Sequence, residues 1–183
     1  LYRNIIHTVS FHRGWVPGVD NKKLKEIILK NPKPKIEDTK NPEYIVTGYE
    51  DTLFPMNLEF KKVLDHISSQ FSYVHKEKLK LLQFWAQIHE KNMSTVTHHH
   101  AEKEDYEGTL CISGVYYVQV PKKSGHLVLL YPHNTHVTKV HPIIPSTGEF
   151  FLFPSAMEHY VTRNFSNDLR ISVSFNFKKE VIN

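Results

Sequence analysis

Nine residues near the carboxyl end, 169–177, alternate without a break: Leu169, Ile171, Val173, Phe175 and Phe177 on one side, Arg170, Ser172, Ser174 and Asn176 on the other. Successive side chains of a strand point to opposite faces, so the stretch predicts one β-strand with an apolar row and a polar row. The apolar row needs a core to cover it. A polar row that simply met water would be expected to hold Lys, Glu and Thr. Here it holds one cation among small hydrogen-bonding groups, which suits a small carboxylate ligand. The plain alternative is an edge strand with a solvated arginine. His159 stands eleven residues before Arg170, in the sequence GEFFLFPSAMEHYVTRNF (residues 148–165).

The rest of the chain supplies the core that such a strand requires. With 183 residues it is long enough for one well-buried core and short for two, and no linker separates two domains. Asp20 can cap a helix on which Leu24, Ile27 and Ile28 share a face. Phe60, Val63, Leu64, Ile67 and Phe71 recur at three- and four-residue spacing, predicting a second helix over residues 57–71. Each has one apolar stripe, as expected of helices laid against the outside of a sheet. A further strand is expected within residues 1–12, broken by Trp15, Pro17 and Gly18, and a surface loop over residues 31–42, which has three prolines. From residue 81 the period changes. Residues 82–88, 111–120, 127–131, 136–141, 150–153, 160–163 and 169–177 read as short strands separated by turns, so the fold class is α+β, mainly β, with an antiparallel sandwich or barrel. The organisation expected is a single domain over residues 1–183, with 1–80 as helical support and 81–178 as the β core.

Charge and cysteine usage narrow the setting. The formal net charge is +4, much of the excess lies in the amino-terminal half, and no arginine-rich stripe accompanies it. This points to solubility rather than to a nucleic-acid partner. The one cysteine, Cys111, excludes an intramolecular disulfide framework and fits a reducing, cytoplasmic setting. No apolar run reaches the length of a membrane helix and no signal-peptide pattern is present, so no membrane association is expected. Nothing in the sequence fixes an oligomeric state.

The second informative stretch is THHHAE, residues 97–102. On a strand His98 and His100 point the same way, as do His100 and Glu102. Two imidazoles on one face with a third ligand from a distant strand make a three-ligand metal site with open positions. His159 is the natural third ligand. The set is either His98, His100 and His159, or one in which Glu102 supplies a carboxylate. A second group, His133, His136 and His141, has spacings that fit no single strand face and reads as solvated loop and strand.

Trp85, His98-His99-His100, SGVYYVQVP (113–121), LFPSAMEH (152–159) and RISVSFN (170–176) fall in this order. The series resembles the 2-oxoglutarate/iron(II)-dependent oxygenases of the small bacterial and phage type. That resemblance covers about residues 81–178. It implies a double-stranded β-helix (a jelly-roll or cupin-like fold) with the helices packed outside one sheet. It also implies Fe(II) and 2-oxoglutarate as cofactors, O2, and oxidation of a small-molecule or peptide substrate coupled to decarboxylation of 2-oxoglutarate. Carried over residue by residue, His98, His100 and His159 hold the metal and Arg170 pairs with the far carboxylate of 2-oxoglutarate. Ser172 assists Arg170. Tyr117, on the same face as Ser113, is a further hydroxyl donor or an ordinary core residue. The chain departs from the pattern in the long interval from His100 to Ser113 and in Ala156, where a Trp is usual. The competing class is a cupin-like protein that binds a metal or small ligand without oxygenase activity, which would have no need of Arg170.

Overall fold

The computed structural model describes residues 11–31, 53–100, 111–134 and 137–181. Among these residues two helices and nine strands follow in the order β1 (His12–Trp15), α1 (Asn21–Leu29), α2 (Leu58–His75), β2 (Glu77–His89), β3 (Thr95–His98), β4 (Cys111–Gln119), β5 (Leu127–Asn134), β6 (Val137–Ile143), β7 (Glu149–Pro154), β8 (Glu158–Val161) and β9 (Arg170–Val181). Both helices begin where a side chain can satisfy a free amide. The Asp20 carboxylate accepts from Lys23 N, and the Asn57 side chain accepts from Phe60 N, each at 3.0 Å. Helix α2 runs one turn beyond the expected end at Phe71 and stops where Lys76 turns left-handed, at φ 58°. Its last turn leaves Tyr73 and Val74 exposed, so no apolar repeat marked it in the sequence.

The strands form two antiparallel sheets, one of five strands in the order β1-β7-β4-β9-β2 and one of four in the order β3-β8-β5-β6. β9, the alternating strand, sits inside the larger sheet, paired with β4 on one side and β2 on the other. Its two rows face different layers. Ile171, Val173, Phe175 and Phe177 pack with Leu24, Ile28, Phe60, Val63, Ile67 and Phe71 from the two helices. The opposite face of the sheet carries Val115, Tyr117, Phe151 and Phe153, which pack with Leu127, Leu129, Ile143, Met157 and Val161 of the smaller sheet and the turn before β8. The arrangement is a jelly-roll with helices against the outer face of the larger sheet, as the pattern of elements predicts. Burying both faces of β9 needs close approach on the helix side. A Cβ at Gly114 would lie 2.7 Å from Leu152 Cδ2 and would overlap the Phe175 ring, so glycine is required there.

Of the sequence expectations, α1, α2 and all seven strands after residue 81 are found, with ends shifted by a few residues. β3 was not foreseen: it is four residues long and pairs with β8 alone. The strand expected in residues 1–12 and the loop expected at 31–42 lie mostly outside the described residues. Within them, β1 reaches Trp15, paired to Glu149, before the chain turns. Arg13 of β1 holds the buried Glu149 carboxylate through both Nε and Nη2, at 2.8–3.1 Å, which ties this edge strand to β7. Among the described residues no helix is long and apolar enough to cross a membrane.

Phe60 is fully buried against Phe54, Phe84 and Phe175, whereas Tyr73 on the same helix is 76% exposed. Phe60→Ala should therefore cost about 3–5 kcal/mol in a denaturant titration. Tyr73→Ala should stay within about 0.5 kcal/mol of the parent. Equal effects would mean that α2 does not dock as described.

Candidate functional site

The polar row of β9 faces the space between the two sheets, and the neighbouring strands bring their own polar rows to it. Across β2 the pairs are Arg170 with His89, Ser172 with Gln87 and Ser174 with Trp85. Across β4 they are Ser172 with Tyr117, Ser174 with Val115 and Asn176 with Ser113. The smaller sheet closes this space with histidines. His98, the last residue of β3, lies directly opposite His159 of β8. His100 follows two residues later, its backbone N–H held by the Ser155 carbonyl at 2.8 Å. One cavity is lined by His98, His100 and His159 together with Tyr117, Arg170 and Ser172.

The three imidazoles are placed so that they could hold a metal ion. One nitrogen from each lies within 4.8 Å of the others, close enough to share one metal ion. His98 Nδ1 is 2.8 Å from the Val96 carbonyl and His159 Nδ1 is 2.8 Å from the Met157 carbonyl. A carbonyl can only accept, so both rings carry their proton on Nδ1 and leave the Nε2 lone pair free. Such outer hydrogen bonds fix the tautomer of metal-binding histidines. Burial holds the pKa of His159 down to about 3, and burial with the neighbouring histidines holds His100 down to about 4. Both rings are thus neutral at ordinary pH, the state in which they can donate to a metal.

Arg170, at the first position of β9, is 1% exposed. Its Nη1 is 3.2 Å from Ser172 Oγ and 3.2 Å from His89 Nδ1. Its guanidinium carbon lies 5.3 Å from the centroid of the Tyr117 ring. No carboxylate among the described residues pairs with it, and its Nε has no hydrogen-bond partner. The buried Tyr117 hydroxyl has none either, and burial pushes its pKa up to about 12, so it stays a donor. A buried cation without a counter-charge is costly, and so is an unmet buried donor. Both groups line the same cavity, where a small anion could meet them together.

Every site residue read from the sequence, except Glu102, lies in this one cavity. Glu102 falls in residues 101–110, outside the described residues. His136 does too, while His133 lies in β5 and His141 in β6, where its exposed ring meets Phe11. Three residues with no role assigned from the sequence also reach the site. Trp85, its ring centroid 5.3 Å from that of His100, buries an unpartnered Nε1. Gln87 lines the cavity and His89 touches Arg170. The signal was the same period of two: residues 85, 87 and 89 form one row, but the expected strand ended at residue 88.

His89, likewise held down to about 3 by burial and Arg170, joins His100 and His159 in a linkage prediction. In the unfolded chain these rings take up protons near 6.5, and in the folded, metal-free chain only at about 3 to 4. Between those values the unfolded state binds more protons, so acid destabilises the fold. Stability of the metal-free protein should be flat with respect to these groups above about pH 7. It should fall below that by up to about 1.4 kcal/mol per pH unit for each ring, as read by thermal melts across pH 4–8. A flat profile would mean that the rings are not buried.

A family model described as 2OG-Fe(II) oxygenase matches residues 83–176, more than half of the chain. No curated protein sequence matches. Among solved structures, the chain is similar to a prolyl hydroxylase from Trichoplax adhaerens in complex with a hypoxia inducible factor peptide fragment. The identity is 15%, covering 93% of this chain and 83% of that one, with a TM-score of 0.63. A prolyl-4-hydroxylase from Pseudomonas putida is similar at 14% identity, with 94% and 86% covered and a TM-score of 0.59. The alpha ketoglutarate dependent epimerase SnoN of nogalamycin biosynthesis is similar at 15% identity and a TM-score of 0.52. That match covers 66% of this chain and only 56% of the epimerase. At these identities the structures speak to the fold, and the family rests on the sequence match that covers both the histidines and the β9 arginine: the chain belongs to the 2OG-Fe(II) oxygenase family.

Proposed function

We propose that the protein is a 2-oxoglutarate- and iron(II)-dependent oxygenase of the hydroxylase type. In this reading His98, His100 and His159 hold the metal, and Arg170, Ser172 and Tyr117 bind the co-substrate. The observation that carries it is Arg170: a fully buried guanidinium with no acidic partner among the described residues, in the cavity that three metal-competent histidines also line. A protein that only bound a metal would have no use for that charge. The residues fit the cofactors. Three imidazoles that can each bring a nitrogen to one point, His100 and His159 held neutral by burial, suit iron(II), and an unmet Nε–H beside an unmet phenol O–H suits a carboxylate.

When bound, iron(II) and 2-oxoglutarate supply the oxidising chemistry: O2 is reduced as 2-oxoglutarate loses CO2, and one oxygen atom goes to a C–H bond of the substrate. The chain's part is binding, orientation and exclusion of water. Arg170 sets the depth at which a dicarboxylate sits, with Ser172 Oγ sharing its Nη1 and Tyr117 donating from the next strand. Phe153, packed edge-on at 4.8 Å against the His159 ring, and Leu127 and Val161 close the remaining wall with apolar surface. The substrate is a small molecule or a peptide side chain, and a peptide finds support in the prolyl hydroxylase solved with one. Residues 1–80 and 81–178 act in this reading as one domain, supported by the packing of α1, α2 and β1 on the larger sheet. A cytoplasmic setting is supported by the chain's one cysteine, Cys111, which can form no disulfide within the chain.

Arg170→Ala tests the reading. Loss of one partner from a desolvated charge pair costs about 2–5 kcal/mol, on the order of thirty- to several-thousand-fold in affinity. The apparent KM for 2-oxoglutarate, followed by succinate formation, should rise by that much while iron(II) affinity holds. Arg170→Lys should recover only part, since lysine keeps the charge and loses the planar fork. A folded Ala variant with the parental KM would remove Arg170 from the site.

A further inference from the structure

The residue directly across from Arg170 is His89, the last of β2, and it is 1% exposed. Its Nδ1 lies 3.2 Å from Arg170 Nη1 and its Nε2 lies 2.9 Å from Thr95 Oγ1 in β3. A guanidinium has no lone pair to offer, so Nδ1 must accept an Nη1 hydrogen and carry no proton of its own. Nε2 then carries the ring proton and donates it to the buried Thr95 hydroxyl. Asn164 fixes the backbone on both sides of this contact, donating to the carbonyls of His89 and Asp168 at 2.9 and 3.0 Å. The chain Arg170–His89–Thr95 therefore crosses from β9 through β2 to β3, the strand that ends in His98.

We infer that His89 is a positioning residue for the co-substrate: as a neutral acceptor it locks the rotation of the Arg170 guanidinium without neutralising it. The role rests on the reading of Arg170 as the carboxylate anchor. The usual partner of a buried arginine is Asp or Glu, and such a partner would compete with an incoming carboxylate for the same charge. Imidazole takes one hydrogen and no charge. Nη1 is then shared by His89 and Ser172, while Nε stays unmet, as does the hydroxyl of Tyr117. The low pKa of His89, about 3 through burial and then Arg170, keeps a second cation from forming beside the first.

Three substitutions separate orientation from bulk. His89→Asn keeps a neutral acceptor near the Nδ1 position, His89→Asp puts a carboxylate there, and His89→Leu removes the acceptor. Asn and Asp have the same shape, so a role in packing alone predicts that they behave alike. Two readouts apply: the Kd for 2-oxoglutarate of the iron(II)-loaded proteins by calorimetry under nitrogen, and KM and kcat for succinate formation. His89→Asn should stay within a few-fold of the parent, while His89→Asp and His89→Leu should weaken 2-oxoglutarate by about tenfold or more. Iron(II) affinity should be held throughout, and kcat at saturating 2-oxoglutarate should change less than KM. In the parent, the nitrogen NMR signature of His89 should be that of the Nε2–H tautomer. Equal Kd values for the Asn and Asp variants, parental affinity in the Leu variant, or an Nδ1–H tautomer would each overturn the role alone. A parent that neither binds nor consumes 2-oxoglutarate would instead overturn the anchor assignment, and this role with it.

Discussion

A positive charge buried with no negative partner among the described residues is the constraint that the rest of the structure answers to. Arg170 is 1% exposed, and desolvation works against its charged form. Its hydrogen bonds go to a serine and a neutral histidine, and its face lies against a tyrosine ring. These contacts satisfy part of its donor set and none of its charge. An uncompensated charge makes the surrounding layers bear the cost of keeping the group dry, and under the proposed function an incoming carboxylate would offset it.

The fold meets that cost by giving β9 two separate jobs. Its apolar row is covered by α1 and α2, and those contacts form the larger of the two cores. The opposite row is then free to be polar, because the sheet's stability does not depend on it. The smaller sheet returns only a modest apolar cluster and contributes its histidines at one end. The three histidines and Arg170 thus face one another across one cavity, His98 and His159 from the smaller sheet and Arg170 from the larger. The Ser113 hydroxyl hydrogen-bonds to Ser155 Oγ at 2.9 Å and to Asn176 Oδ1 at 2.8 Å, joining β4 to the turn before β8 and to β9.

Where a residue's role followed from period or type, the sequence revealed it. The alternation of residues 169–177 announced both faces of β9, and the His98/His100 spacing announced a shared direction. Asp20 and Asn57 marked the helix starts. What stayed hidden depends on register. That His98 pairs with His159, and His89 with Arg170, follows from how strands align, which no local pattern encodes. β3 escaped notice because four residues leave too short a period to read. His89 was a lone histidine one residue beyond an expected strand end, and only its place opposite Arg170 gives it meaning. The family resemblance brought His159 and Arg170 into one site before any geometry did.

Whether one cavity holds iron(II) and 2-oxoglutarate together can be read from an anaerobic spectral titration. Metal-free protein is mixed with one equivalent of iron(II) under nitrogen, and 2-oxoglutarate is added in steps. The account predicts a weak visible charge-transfer band that saturates at one 2-oxoglutarate per chain, because the keto acid chelates the metal while its far carboxylate reaches Arg170. Tight iron(II) binding with no such band at any 2-oxoglutarate concentration would contradict it, and would leave a protein that binds metal without oxygenase chemistry.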